Sequence, residues 1–295
     1  MKRIHLAGII PVANLKTDFD IDTPEILLPV EPGFTAIQKS VFECAMAGCR
    51  TIWIVANEDL APIVRHRVGE WVHDPVWYSR GFEHHYKEKR REIPIYYVPL
   101  RPKNVGRRDS YGWSIIAGIN MAWYVSFKIS RWVVPEKYFI SFPMAAHDIY
   151  SIREHRLEIA KENKNFILTH EGKSVKDNLP LSFTMTPDDF KHCRANVNKK
   201  TTRTYAHYEG DDFLEEKERL PFEERWSARH FELDEVFEQL SEKDAHKVEA
   251  NWFYDLSNWE GYRAFMGSEH RIEKPYKGLN KSRKHVKIAI ERGEE

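Results

Sequence analysis

Ile4-His-Leu-Ala-Gly-Ile-Ile-Pro-Val12 and Thr51-Ile-Trp-Ile-Val-Ala56 are two apolar runs of the length of buried strands, and together they decide the fold. Between them lie an acidic loop, the segment Glu25-Ile-Leu-Leu-Pro-Val-Glu31, and an apolar stretch that ends at Ala47-Gly-Cys49. A stretch closed by glycine in this way is typical of a helix. A strand, a helix and a second strand predict a βαβ unit, whose two strands lie parallel in one sheet.

The alternation of strands and helices continues through the first half of the chain. A strand is predicted at Ile93 to Leu100 and another at Lys137 to Phe142. The helix between them runs from Ser114 to Ser130, with Asp109 or Ser110 as its cap, and its small residues predict close packing on the sheet. We therefore expect an α/β protein with a mostly parallel, Rossmann-like three-layer sheet.

The second half of the chain is more irregular and predicts an insertion into this sheet. Its expected elements are strands at Asn165 to Thr169, Leu181 to Met185 and Asn251 to Leu256, and helices at Thr186 to Phe190, Leu233 to Leu240 and Trp259 to Met266. A charge-dense surface excursion is expected at about residues 198–225. From residue 271 onward, eight basic residues stand against four acidic ones. We predict one α/β domain over residues 1–270 and a basic tail over 271–295.

Composition excludes several classes of protein. The 45 basic and 45 acidic residues cancel, so no global charge predicts binding to nucleic acid or to an anionic membrane. No window approaches the length of a membrane span, and the first residues do not form a signal peptide. The three cysteines lack metal-site spacing and predict core thiols in a reducing compartment. We expect a cytoplasmic protein without a zinc finger, a P-loop or a serine-hydrolase elbow.

Four segments resemble the sugar-1-phosphate nucleotidyltransferases, which have the GT-A-like fold of nucleotide-diphospho-sugar transferases. They are Leu6-Ala-Gly8 with the later Leu27-Leu-Pro-Val30, then Ser110-Tyr-Gly112, then Tyr138 to Asp148, and finally Trp252-Phe-Tyr-Asp-Leu-Ser-Asn-Trp-Glu-Gly-Tyr262. The order and spacing of these segments fit the family over residues 1 to about 266. The chain is also similar to nucleotidyltransferase-like proteins encoded by tailed phages, which would place it in the host cytoplasm.

The resemblance implies an activity and a set of site residues. In this family a sugar-phosphate oxygen attacks the α-phosphate of a nucleoside triphosphate, and pyrophosphate leaves with the help of Mg²⁺. Asp148 and Asp255 match the family's two magnesium ligands, and Gly112 matches the glycine beside the nucleotide base. Residues just past the carboxyl end of a sheet strand line the ligand crevice, which is where we expect His147 and Asp148. A cap of the following helix is an equally good interpretation of Asp148, and a turn at the end of its strand or a cap of the next helix is the alternative interpretation of Asp255.

The phosphate-binding loop of the family is absent from the opening segment. Active members carry G-x-G-T-R after the first strand, whereas Gly8 is followed by apolar residues and by Pro11, which has no N–H to donate. Glu25 stands where the family has a lysine, and three aspartates in the loop add repulsion toward a triphosphate. Lys16 is the basic residue of this loop, and we expect it to contact phosphate.

Other residues are expected to bind the nucleotide in place of the missing loop. Gly8 and Asn14 flank the position of that loop. Arg107 and Arg108 precede the helix that approaches the nucleotide, and a helix N-terminus with arginines forms a reasonable anion site.

Three functions remain open at the level of the sequence. The first is an Mg²⁺-dependent nucleotidyltransferase acting on a nucleoside triphosphate and a sugar phosphate. The second is a GT-A-type glycosyltransferase that uses a nucleotide sugar. The third is an inactive member of the fold with a binding or structural role, in line with the lost loop. A homo-oligomer is compatible with each, and the fold by itself does not decide among them.

Overall fold

A computed structural model describes residues 4–78, 92–100, 104, 108, 110–161, 164–201 and 230–275. The predicted charged excursion falls outside these ranges except for residues 198–201, which end a helix. The predicted basic tail falls outside them beyond residue 275.

The opening βαβ unit is confirmed. Strand β1 (Leu6–Pro11) and strand β4 (Thr51–Val55) are parallel, with Gly8 opposite Ile52, and helix α1 (Ala36–Ala47) connects them. Gly48 ends α1 with a φ of 95°, a left-handed conformation that glycine adopts without strain. Before α1 the chain forms a short antiparallel pair, β2 (Pro29–Glu31) and β3 (Phe34–Thr35).

In the described part of the chain, eight strands form the central sheet in the order β11, β9, β10, β7, β1, β4, β6, β5. The remaining strands of this sheet are β5 (Trp71–His73), β6 (Glu92–Val98), β7 (Lys137–Ile140), β9 (Phe166–Thr169), β10 (Phe183–Met185) and β11 (His246–Glu249). Strands β7, β1, β4 and β6 run parallel, whereas β5 and β10 are antiparallel to their neighbours β6 and β7. The predicted α/β class and mostly parallel sheet are therefore confirmed.

Helices cover both faces of this sheet. After α1, those with described bounds are α2 (Ala61–Val68), α3 (Pro75–Tyr78), α4 (Tyr111–Ile129), α5 (Ile149–Glu154), α6 (Arg156–Lys161), α7 (Pro187–Thr201), α8 (Leu233–Phe237) and α9 (Trp259–Gly267). None of the helices in the described ranges is long and apolar enough to cross a membrane.

Two buried hydrophobic clusters, one on each face of the sheet, join the sheet to the helices on either side and give three layers. Along β1, Leu6 and Ile10 pack in the cluster on the α1 face, while Ala7 and Ile9 pack in the cluster on the α4 face. Helix α4 lies so close to the sheet that a Cβ added at Gly118 would stand 2.6 Å from a methyl group of Val55. The close packing expected from the small residues of this helix is therefore present.

A separate two-stranded ribbon leaves the sheet at the carboxyl end of β7. Strand β8 (Ala145–His147) pairs antiparallel with β12 (Phe253–Asp255), and Ala145 is opposite Asp255. The sequence predicted β12 in a longer form and did not predict β8. This β8–β12 ribbon carries Asp255 across the carboxyl edge of the parallel strands.

Candidate active site

The loop that follows β1 is fixed to the first turn of α4. Asn14 adopts a left-handed conformation with a φ of 59°, and its Nδ2 lies 3.5 Å from Ser114 Oγ. Ser114 Oγ also donates to the carbonyl oxygen of Ala13 at 2.9 Å. Ser110 caps α4 as predicted, because its hydroxyl accepts the N–H of Trp113 at 3.2 Å. The chain leaving β1 therefore lies against the N-terminus of a 19-residue helix.

The segment around Asp255 contacts the same loop from the other side. The N–H of Asp18 donates to the carbonyl oxygen of Ser257 at 2.8 Å, and Phe19 packs edge to face on Trp259 with ring centroids 4.7 Å apart. Asp255 Oδ1 accepts the N–H of Ser257 at 2.9 Å in a tight turn before α9, which is the alternative interpretation of this residue. The loop after β1 thus joins α4 and Asp255 at one edge of the sheet.

Tyr111, in the first turn of α4, contacts the ends of both β1 and β7. Its hydroxyl is 3.4 Å from the carbonyl oxygen of Pro11, and its ring lies 5.7 Å from that of Phe142, just beyond β7. Burial raises the pKa of Tyr111 above its ordinary value, and the negative charge of Asp255 raises it further. We call the region around Asn14, Tyr111, Ser114 and Asp255 the β1-edge crevice, in which Ser114 is buried.

Gly261 is a residue of this site that the sequence analysis passed over. A Cβ at this position would overlap the carbonyl oxygen of Asp255, so only glycine lets α9 pack directly against the Asp255 turn. The sequence did contain a hint of this role. Glycine is a poor helix former, so a glycine in the first turn of a predicted helix suggests that packing requires it there.

Asp148 lies elsewhere on the ribbon. Its Oδ1 accepts the N–H of Tyr150 at 2.9 Å, so it caps α5, which was the alternative interpretation of this residue. Extending the β8–β12 register by one residue places Asp148 level with Trp252, three positions from Asp255. Three positions correspond to about 10 Å along a strand and to opposite faces of the ribbon. The structure therefore does not bring the two carboxylates together.

The separation of Asp148 from Asp255 determines whether the two residues can bind the same Mg²⁺ ion. Mg²⁺ binds oxygen at about 2.0–2.1 Å, so two ligands of one ion lie at most about 4.2 Å apart. Asp148 and Asp255 do not meet that condition. Asp255 alone does fit, because Mg²⁺ is commonly held by a single carboxylate together with water and the phosphates of the substrate.

The other predicted residues are spread over several environments. Gly8 lies in the middle of β1, and a Cβ there would stand 2.8 Å from Cys44 Sγ, so its small size serves packing. Gly112 serves packing as well, with an added Cβ 2.8 Å from Val236. Lys16 forms an exposed ion pair with Glu232 at 3.1 Å.

Of the two arginines predicted to bind phosphate, only Arg108 lies among the described residues. Arg108 lies at the start of α4, with its guanidinium 5.4 Å from the centre of the Trp113 ring. Arg107 lies outside the described residues.

A fully buried ionic cluster supports the ribbon from below. Glu43 of α1 lies 3.2 Å from Lys39 Nζ and 3.3 Å from His147 Nε2, and it accepts hydrogen bonds from Ser141 at 2.7 Å and from Ser182. These five side chains are fully buried. His147 therefore faces α1 instead of the crevice where the sequence placed it. We call this group the Lys39–Glu43 cluster.

Charge pairing determines the ionisation of this cluster. Burial opposes the charged form of Glu43, yet the charge interactions with Lys39 and His147 and the hydrogen bond from Ser182 hold the Glu43 pKa below its ordinary value. Lys39 Nζ also donates to the carbonyl oxygens of Phe142 at 2.9 Å and Ala145 at 2.7 Å. The cluster thereby joins α1 to both ends of the turn that starts β8. A lysine and a glutamate four residues apart were visible in the sequence, but their burial was not.

A cavity of about 730 Å³ lies away from the β1-edge crevice, beside α2 and the ends of β4 and β6. Three of its polar lining residues, Arg65, Glu70 and Tyr97, are already engaged within the protein. Arg65 pairs with Glu70, and the hydroxyl of Tyr97 donates to the carbonyl oxygen of Gly69 at 2.6 Å. None of the predicted site residues lines it, so we place the candidate site at the crevice.

Comparison with known proteins relates this architecture to solved structures. No protein-family model and no curated protein matches the chain. A candidate glucose-1-phosphate thymidylyltransferase from Bacillus anthracis, solved in complex with sucrose, has a TM-score of 0.55 at 9% identity, over 92% of this chain and 98% of that one. A UDP-glucose pyrophosphorylase in complex with UDP-glucose has a TM-score of 0.48 at 13% identity, over 89% and 97% of the two chains.

An inositol-1-phosphate CTP transferase from T. maritima has a TM-score of 0.46 at 8% identity, over 92% of this chain and 98% of that one. At these identities a likeness concerns the fold and not the activity. The similarity to phage-encoded proteins gains no support and stays a prediction. The chain has the α/β fold of the Bacillus anthracis structure, and its elements follow that fold over nearly the whole of both chains.

Proposed function

We propose that the chain binds a nucleoside triphosphate in the β1-edge crevice and transfers its nucleoside monophosphate to a sugar 1-phosphate or a similar phosphate acceptor. One observation carries the proposal. The loop after β1, the N-terminus of α4 and the Asp255 turn converge at the carboxyl edge of the parallel strands, joined by the contacts of Asn14 with Ser114 and of Asp18 with Ser257. This edge is where open α/β sheets bind ligands.

The proposed roles follow from chemistry and position. Asp255 holds Mg²⁺ by one carboxylate, and the ion neutralises charge on the triphosphate as pyrophosphate leaves. The dipole of α4 favours negative charge near its N-terminus, and Arg108 adds a positive charge beside it. Asn14 presents a side-chain amide at the end of β1. Together these groups orient the triphosphate for attack by the acceptor oxygen.

A second candidate function has its own observations. Lys16 is paired with Glu232, and Glu25 accepts a hydrogen bond from Thr17 at 2.8 Å, so both are used in internal contacts. Neither residue replaces the missing phosphate loop in this arrangement. These contacts favour a protein that binds a nucleotide or a nucleotide sugar in the same crevice without releasing pyrophosphate, as a glycosyltransferase or as an inactive binding member.

The two functions are separated by one assay. The protein is incubated with Mg²⁺, each of the four nucleoside triphosphates and a panel of sugar 1-phosphates, and pyrophosphate release is measured. Release that requires both substrates supports the nucleotidyltransferase. Nucleotide-dependent stabilisation without release supports the binding function, and neither response refutes both. A cytoplasmic location, a single domain over residues 1–270 and a homo-oligomer stay predictions.

A further inference from the structure

His155, Glu158 and His246 form a compact group of metal-ligating side chains that shares no residue with the β1-edge crevice. His155 ends α5, Glu158 lies on α6, and His246 begins β11 at the edge of the sheet. One ligand atom from each residue lies within 4.8 Å of the other two. Among the described residues this is the one group of three histidine, cysteine or carboxylate side chains that meets this condition.

The distances within the group agree with tetrahedral coordination. Zn²⁺ binds imidazole nitrogen and carboxylate oxygen at about 2.0–2.2 Å, which places neighbouring ligand atoms about 3.4 Å apart in a tetrahedron. His155 Nδ1 lies 3.2 Å from His246 Nε2 and 3.6 Å from Glu158 Oε2. The third pair, Glu158 and His246, has its ligand atoms within 4.8 Å of each other.

The group also has features that the fold alone does not explain. In the described part of the chain, Glu158 Oε2 is buried without a hydrogen-bond donor, which is costly for a carboxylate oxygen. Both imidazole rings lie near the buried ring of Phe166, with centroids 6.2 Å and 6.1 Å away. The His155 side chain is 28% exposed, so a metal ion has access from solvent.

We propose that His155, Glu158 and His246 bind a divalent transition-metal ion of the Zn²⁺ class. Two imidazoles and one carboxylate suit Zn²⁺ or Co²⁺, whereas Mg²⁺ and Ca²⁺ prefer oxygen ligands. The fourth position is left for water. The ion joins the α5–α6 elbow to β11, two parts of the chain separated by 91 residues at the His155–His246 contact. This site is independent of the proposed magnesium site at Asp255.

Titration of the whole chain with Zn²⁺ at pH 7.5, by calorimetry, tests the proposal. The wild type is expected to bind one more equivalent of Zn²⁺ than H246A, and E158Q to bind that equivalent with at least tenfold lower affinity. His192, exposed on α7, provides the matched control, so H192A is expected to bind like the wild type. Circular dichroism without metal verifies that each variant is folded.

Co²⁺ gives a second readout, because tetrahedral Co²⁺ absorbs strongly in the visible range. The wild type and H192A are expected to show this absorption and H246A to lose it. Equal stoichiometry and affinity of Zn²⁺ in the wild type and H246A would overturn the proposal, as would a Co²⁺ spectrum unchanged by H246A.

Discussion

Replacing Lys39 with methionine tests whether charge pairing holds the cluster beneath the Asp255 ribbon. Methionine keeps most of the length of the side chain but removes the ammonium group. In the wild type all three Nζ donors have acceptors, namely Glu43 at 3.2 Å and the carbonyls of Phe142 and Ala145 at 2.9 Å and 2.7 Å. In K39M the Glu43 carboxylate stays buried without its counter-charge. Breaking a fully buried pair in this way costs about 3–5 kcal/mol.

Urea unfolding at pH 7, followed by tryptophan fluorescence, measures this cost. With a slope of about 3 kcal/mol per molar urea, a loss of about 4 kcal/mol lowers the midpoint by about 1.3 M. The double variant K39M/E43Q removes both charges and is expected to recover more than half of the loss. A K39M variant within about 1 kcal/mol of the wild type would refute the reasoning, and so would a double variant no more stable than K39M.

The same pair predicts a dependence on pH. The Glu43 pKa is lower in the folded protein than in the unfolded chain, so ionised Glu43 stabilises the fold above its ordinary pKa of 4.5. That stabilisation is lost as the pH falls through the lower, folded-state pKa. The stability difference between the wild type and K39M/E43Q should therefore shrink as the pH falls from about 4.5 to about 3. A difference that is constant over this range would contradict the assignment of an ionised Glu43.

Three further substitutions test individual packing and capping contacts by urea unfolding. G261A places a methyl group on the Asp255 carbonyl and should cost about 1–3 kcal/mol while weakening Mg-nucleotide binding; unchanged binding would contradict the role given to this glycine. G112A crowds Val236 and should lower the free energy of unfolding by about 1–3 kcal/mol. The double variant G112A/V236A should recover part of this loss relative to V236A alone, and no recovery would refute the packing explanation. D148A should cost about 1 kcal/mol and D148N close to none, because asparagine also caps helices; equal losses would argue against the cap.

The parts of the fold that were predictable from sequence are those specified by local signals. The opening βαβ unit follows from two apolar runs and a helix closed by Gly48. The start of α4 at Ser110 and that of α7 after Thr186 follow from capping residues, and Thr186 does accept the N–H of Asp189 at 3.2 Å. Such signals depend on neighbours a few residues away, so one sequence suffices to read them.

The errors concern features that depend on distant partners. Strand β8 has only three residues and pairs with a segment about a hundred residues later, so no local period marks it. The role of Asp148 was open because a strand-end aspartate and a helix cap have the same sequence pattern. Gly8 was assigned to the nucleotide because the family resemblance places it after the first strand. In the structure it lies within β1 and faces Cys44 of α1, a contact that local sequence does not reveal.

The central claim is that Asp255 holds the metal of a nucleotide bound at the β1-edge crevice, whereas Asp148 only caps a helix. Isothermal titration of Mg²⁺ and a nucleoside triphosphate into the wild type, D255N and D148N tests it directly, because asparagine preserves the hydrogen bond that each aspartate makes to a backbone N–H. The account predicts at least a tenfold loss of affinity in D255N and wild-type affinity in D148N. Equal affinity in D255N and the wild type, or a loss confined to D148N, would contradict it.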